Sequence, residues 1–213
     1  MVTLGGEVAF VSQMIDESRH LGDRCQWYTS MLGKASSVEK IVQKLKDYGV
    51  QNWAVKDLVQ GNKTKRWCLA WSFANMRPDE AVSRATKTFP KTLLPFPTDF
   101  EFIASVTTEV AAQRLNETMQ GLSLQWQYKP SMTMGLVLTN GNVWSRAARR
   151  RKEQGQEEMD VVDDDSVALC AIVALSNATL GAKVRIRWLQ GQDHVLFESF
   201  CGMLKRQLSN AKD

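Results

Sequence analysis

The sequence predicts an α/β segment over residues 1–74, a linker over 75–99 and a small α+β domain over 100–213. Three observations predict it. Residues 7–73 switch between helical and strand periodicity in the order helix, strand, helix, strand, strand. Residues 122–188 carry repeated two-residue alternation between two helical patterns. Four of the five prolines, Pro78, Pro90, Pro95 and Pro97, fall between these regions. With 213 residues, 44% of them apolar and 23% charged, the chain can bury one sizeable core or two small ones, and wholesale disorder is excluded. The 27 Lys and Arg against 23 Asp and Glu leave a charge of +4, which permits an acidic partner without requiring one.

In the first segment Val8, Val11, Met14 and Ile15 share a helical face over residues 7–18, entered from Gly5-Gly6. Residues 26–32, with Trp27, Tyr28 and Met31, read as a buried strand. Ser36-Ser37-Val38-Glu39 has the form of a capping box, opening a helix with Val38, Ile41, Val42, Leu45 and Tyr48 on one face and Gly49 as its stop. Strands follow at 53–59 and 66–73, the second alternating Trp67, Leu69, Trp71 and Phe73 with Arg66, Cys68, Ala70 and Ser72. The short turn over 60–65 makes them an antiparallel hairpin. This order is the closing half of an open α/β sheet and supplies too few strands to finish one, so an upstream N-terminal half is expected.

Beyond the prolines, Val106, Val110, Ala111, Leu115 and Met119 predict a helix over 106–119 with Gly121 after it. Leu122, Leu124, Trp126 and Tyr128 form one alternating run, and Met132, Met134, Leu136 and Leu138 a second. Asn140-Gly141 is the strongest hairpin signal in the chain and predicts a return strand carrying Val143 and Trp144. Residues 167–175 are continuously apolar. Val184, Ile186 and Trp188 then alternate with Lys183, Arg185 and Arg187, and Asp193 caps a final helix with Val195, Leu196, Phe200, Leu204 and Leu208 inward. An antiparallel sheet with its helices on one face is the predicted result. The insertion over 146–165 segregates Arg146, Arg149, Arg150, Arg151 and Lys152 from Glu157, Glu158, Asp160, Asp163, Asp164 and Asp165. It reads as a solvated loop, an RNA phosphate contact or a nuclear-import signal.

No apolar run is long enough to span a membrane, and the first residues lack the pattern of a secretory signal. Cys25, Cys68, Cys170 and Cys201 are widely spaced, which suits reduced thiols, and with only His20 and His194 no metal set is predicted. There is no G-x-G-x-x-G, phosphate-binding lysine loop, G-x-S-x-G or H-E-x-x-H, so no catalytic residue is assigned.

Three ordered blocks carry a family resemblance: Gly5-Gly6-Glu7-Val8-Ala9-Phe10-Val11, then Trp27-Tyr28-Thr29-Ser30-Met31-Leu32-Gly33-Lys34, then Gln60-Gly61 leading to Arg66-Trp67-Cys68-Leu69-Ala70-Trp71-Ser72-Phe73. Through them the chain resembles the methyltransferase-like protein 16 family. These are adenine-N6 methyltransferases of U6 small nuclear RNA and other RNA hairpins, with bacterial relatives acting on large-subunit ribosomal RNA. The resemblance implies that residues 1–74 are the C-terminal half of a class I, Rossmann-like methyltransferase sheet. It implies that residues 100–213, aligned best through Val184 to Trp188 and Leu196 to Phe200, are an accessory RNA-binding domain. The family holds S-adenosylmethionine on a glycine-rich turn and an acidic strand end, and its target adenine on an Asn-Pro-Pro-Phe loop. None of these motifs stands in this sequence. By itself the chain is therefore expected neither to hold the cofactor nor to methylate RNA, since the flipped base must be gripped and oriented for transfer.

What the resemblance leaves is RNA binding. Lys63, Lys65 and Arg66 fall where the family carries phosphate-gripping residues, and Lys34 follows a strand end where α/β sheets place ligands. Lys183, Arg185 and Arg187 form a cationic row on the last strand, extendable by Lys205 and Arg206, and Arg149, Arg150 and Arg151 a cluster in the insertion. The expectation is part of an S-adenosylmethionine-dependent RNA adenine-N6 methyltransferase, nuclear or cytoplasmic, whose partner is a structured RNA. The alternative is a stand-alone RNA-binding or protein-interaction module derived from it.

Overall fold

The computed structural model describes residues 3–61, 64–86, 89–154 and 167–209, in two compact units, Met1–Pro97 and Thr98–Asp213. Lys63 and the acidic half of the insertion lie outside the described residues.

In the first unit, α1 (Gly6–Leu21) and α2 (Ala35–Asp47) lie on a three-stranded sheet of β1 (Tyr28–Leu32), β2 (Asn52–Gln60) and β3 (Thr64–Ser72). The strand order is β1-β3-β2, and β3 is antiparallel to both neighbours. β1 and β2 therefore run in the same direction, joined through α2, as a parallel pair requires, with β3 inserted between them. Val11, Ile15, Val38, Ile41, Val42 and Leu45 of the helices bury Leu32, Trp53, Val55, Leu69 and Trp71 of the strands. The Trp71 indole donates to the Ser18 hydroxyl at 3.0 Å, which satisfies a buried N–H. On the opposite sheet face Met31 and Lys56 are exposed on either side of Cys68, so the strand read as buried at 26–32 is covered on one face only.

Two local expectations are corrected here. α2 starts two residues ahead of the proposed capping box, with Lys34 as N-cap and no side-chain cap from Ser36. Residues 75–97 are no linker. They carry α3 (Glu80–Ser83), capped by Asp79, and fold back on the first unit. Phe89 joins its core, the Trp53 indole donates to the Leu93 carbonyl at 3.2 Å, and Asn52 donates to the Ala74 and Met76 carbonyls. Arg77 donates to the Gln51 carbonyl at 2.8 Å, and burial pulls its pKa down to about 10. Proline density set the turns of this segment without freeing it.

The second unit is a five-stranded antiparallel sheet of β4 (Asp99–Ala104), β5 (Gln125–Lys129), β6 (Met134–Thr139), β7 (Leu169–Ala178) and β8 (Gly181–Gln190), in the order β4-β8-β7-β6-β5. α4 (Thr108–Gln120) and α6 (His194–Ser209) pack on it and on each other. Ala111, Leu115, Met119, Phe200 and Leu204 meet Val137, Val173, Val184, Ile186 and Trp188 in a core separate from that of the first unit. β4 is an added strand. Asn140-Gly141 makes no hairpin, because β6 already has β5 on one side and β7 on the other. The Thr139 hydroxyl closes that turn by donating to the Gly141 carbonyl, and Trp144 turns inward, its indole donating to Ser199. On β6 the core-facing residues are Gly135, Val137 and Thr139, not the larger Met134, Leu136 and Leu138. A Cβ on Gly135 would lie 2.1 Å from the Trp126 ring, which fills that space. Asp193 caps α6 as predicted, accepting from the Val195 and Leu196 amides, but Val195 itself is 59% exposed. The first half of the charged insertion is a helix, α5 (Arg146–Glu153), anchored by buried Ala148.

Candidate nucleic-acid interface

The antiparallel register gathers three of the predicted cations at one end of the first sheet. The β1–β3 ladder closes at the pair Leu32–Trp67, so Lys34 lies two residues past that end on one strand. Arg66 and Lys65 lie one and two residues past it on the other. All three are exposed, and none is within ion-pair distance of a carboxylate among the described residues. The β2–β3 pairing continues outward to Gln60–Thr64 and carries Lys65 and Arg66 beyond the body of the sheet. The Arg66 guanidinium donates to the neighbouring Lys65 carbonyl at 3.2 Å. Lys63 lies outside the described residues.

The turn that carries Lys34 is fixed from outside α2. The Glu7 carboxylate accepts from the Gly33 amide at 2.7 Å and the Lys34 amide at 3.2 Å. Glu7 stood in a sequence block that carried the resemblance, yet it drew no role there. The signal that could have marked it is the pair of glycines before it, both left-handed at φ 79° and 70°, where a Cβ on Gly5 would meet Ala9 at 2.7 Å.

The cationic row of β8 is differently placed. Lys183 is 2.8 Å from Glu101, and Arg185 is 2.7 Å from Asp99 and 3.8 Å from Glu101, both acids on the unforeseen strand β4. Arg187 lies opposite Asp99 in the register and is half-buried. The structure brings these three cations together but offsets them with two carboxylates, so they do not form an unopposed phosphate track. On α5, Arg146, Arg150 and Arg151 are exposed, and Arg149 belongs to the same helix. Lys205 and Arg206 are exposed near the end of α6.

The Glu7 carboxylate reaches the strand end at Gly33, and both its oxygens are occupied by backbone amides. Among the described residues no three His, Cys, Asp or Glu side chains gather as metal ligands, and no helix is long and apolar enough to cross a membrane. All four cysteines are free thiols.

A family model described as RNA methyltransferase matches residues 1–75. The whole chain aligns at 33% identity over 218 residues with the U6 small nuclear RNA (adenine-(43)-N(6))-methyltransferase of Schizosaccharomyces pombe, covering 100% of this chain and 52% of that protein. It aligns at 25% identity over 250 residues with the RNA N(6)-adenosine-methyltransferase mettl16 of Danio rerio, covering 96% and 52%. Among solved structures, the human Mettl16 catalytic domain in complex with a MAT2A 3′UTR hairpin matches at 37% identity, covering 40% of this chain and 26% of that one, with a TM-score of 0.32. The chain spans about half the length of the curated relatives it matches. Residues 1–75 thus match the RNA methyltransferase family, and the chain is similar along its whole length to relatives that include methyltransferase-like protein 16.

Proposed function

We propose that these residues are the RNA-holding part of an S-adenosylmethionine-dependent RNA adenine-N6 methyltransferase acting in the nucleus on U6 small nuclear RNA or another structured RNA. The observation that carries the reading is the cluster of Lys34, Lys65 and Arg66 at one sheet end, three exposed cations with no ion pair to a described carboxylate and Glu7 as the acid near Lys34. Cations so placed contact phosphates, hold the RNA in register and leave base identity to other groups. The basic helix α5 of the second unit is a separate candidate phosphate contact. The substrate class comes from the names of the relatives, which methylate an adenine of U6 small nuclear RNA.

With no glycine-rich cofactor turn and no Asn-Pro-Pro-Phe loop in their sequence, these 213 residues hold RNA without transferring a methyl group on their own. The test incubates the purified chain with labelled S-adenosylmethionine and a stem-loop RNA. It follows both methyl incorporation and RNA retention, with Arg66→Glu alongside. The reading requires retention that Arg66→Glu weakens and no incorporation above background. Incorporation by the chain alone, or retention indifferent to Arg66→Glu, contradicts it.

A further inference from the structure

Lys34 occupies a position that local rules give to other residues. It is the N-cap of α2, with extended backbone at φ −128° and ψ 137°, and it makes no side-chain cap. Ser, Thr, Asp and Asn are preferred there because their oxygens accept from the first helical amides, and a cation sits badly against the positive end of the helix dipole. Ser36 and Ser37 follow after Ala35 and could have served had the helix begun later. A local rule broken without local compensation points to a functional demand.

The compensation comes from 27 residues upstream. In a capping box the acidic side chain reaches back to the N-cap amide of its own helix. Here Glu7, in the first turn of α1, does so from another element, bonding the amides of both Gly33 and Lys34. The Ser37 hydroxyl hydrogen-bonds the same carboxylate. The approach is tight, since a Cβ on Gly33 would lie 3.3 Å from the Glu7 oxygen. Burial works against the charge on Glu7, but the bonds from Ser37, Gly33 and Lys34 and the Lys34 ammonium nearby hold its carboxyl below the ordinary carboxylate range. The Gly-Gly-Glu and Leu-Gly-Lys blocks, apart in sequence, are thus one device: two left-handed glycines deliver an acid that clamps the turn of the lysine.

Resting on the RNA-holding reading above, we infer that Glu7 is a positioning residue for RNA. By clamping the Gly33–Lys34 turn it lets a lysine occupy the N-cap of α2 and keeps Lys34 in place with Lys65 and Arg66. Glu7 touches no RNA. As an anion beside Lys34 it opposes polyanion binding by simple charge, so the two effects of removing it have opposite sign. Loss of the negative charge alone strengthens RNA binding, whereas loss of the clamp weakens it.

The experiment is a double-mutant cycle on the affinity of the chain for a labelled stem-loop RNA at fixed salt, using Glu7→Gln, Lys34→Ala and the double variant. Glu7→Gln keeps the side-chain shape and one acceptor oxygen, and a thermal melt of each protein accompanies the titration. The expected result is several-fold weaker binding for Glu7→Gln and for Lys34→Ala, with no further loss when Glu7→Gln is added to Lys34→Ala. A general loss of structure weakens binding equally in both backgrounds, so an equal loss overturns the inference even if the variant melts lower. Unchanged or tighter binding by Glu7→Gln, with Lys34→Ala still harmful, also overturns it while leaving the RNA reading intact. A neutral Lys34→Ala overturns the RNA reading of this corner and the inference with it.

Discussion

The ion pairs of Asp99 and Glu101 show how two residues decide the character of a surface. Lys183 and Glu101 are both nearly half exposed, so their bridge is of the surface kind that contributes about 0–1 kcal/mol to stability, whereas Asp99 is only 14% exposed beneath Arg185. The effect of the two acids is on the field, because they offset cations that would otherwise face solvent as a row. Replacing the exposed acid with its amide, Glu101→Gln, is expected to leave the melting temperature almost unchanged and to raise RNA affinity at low salt. The added binding should fade as salt rises, since it is a phosphate term. A filter-binding series in two salts checks it. The cationic half of this feature was legible from the alternation of β8. The acidic half was not, because Ile103, 50% exposed, breaks the alternation of Phe100, Phe102 and Ala104 that would have announced β4.

At the scale of elements, α1 and α2 are tied by acids at both ends. Glu7 clamps the start of α2, and Asp16 accepts from Lys44 and from the Tyr48 hydroxyl, each at 2.8 Å. Those two bonds hold the Asp16 carboxyl below its ordinary range, as the amides and Ser37 do for Glu7. A carboxyl depressed in the folded state contributes stability that is full above its unfolded value, here 4.5 for Glu7 and 3.8 for Asp16. That stability is lost as pH falls through the lower folded value. Acidification below pH 4.5 is therefore expected to lower the melting temperature of the parent more steeply than that of a Glu7→Gln, Asp16→Asn variant, which already melts lower at neutral pH. Parallel curves across pH would remove these acids from the account. The helices were legible because their apolar spacing is dense, as in Val38, Ile41, Val42 and Leu45. α5 was not, because Ala148 is its buried anchor amid arginines, and a helix held by so small a contact looks like a loop in sequence. The misread hairpin at Asn140-Gly141 has another cause. Turn chemistry is local, but a strand flanked on both sides has no place for a third partner.

For the whole molecule, the two cores are separate, each built from the helices and strands of its own unit. The proline-rich stretch belongs to the first unit because Phe89, Leu93 and Arg77 engage it, contacts between residues far apart in sequence that no local signal reveals. The candidate site was half visible for the same reason. Lys34, Lys65 and Arg66 could be named from their blocks, but that they meet follows from the Leu32–Trp67 register, and Glu7 from a bond spanning 26 residues. The central claim is that these three cations neutralise RNA phosphates together. The salt dependence of stem-loop RNA affinity, measured for the parent and for Lys34→Ala with Lys65→Ala and Arg66→Ala, tests it most directly. Each lost phosphate contact lowers the slope of log affinity against log salt by roughly 0.7–0.9, so the triple variant should lose about 2.1–2.7 from the slope and bind weakly at low salt. A triple variant with the parent's slope and affinity would contradict the account.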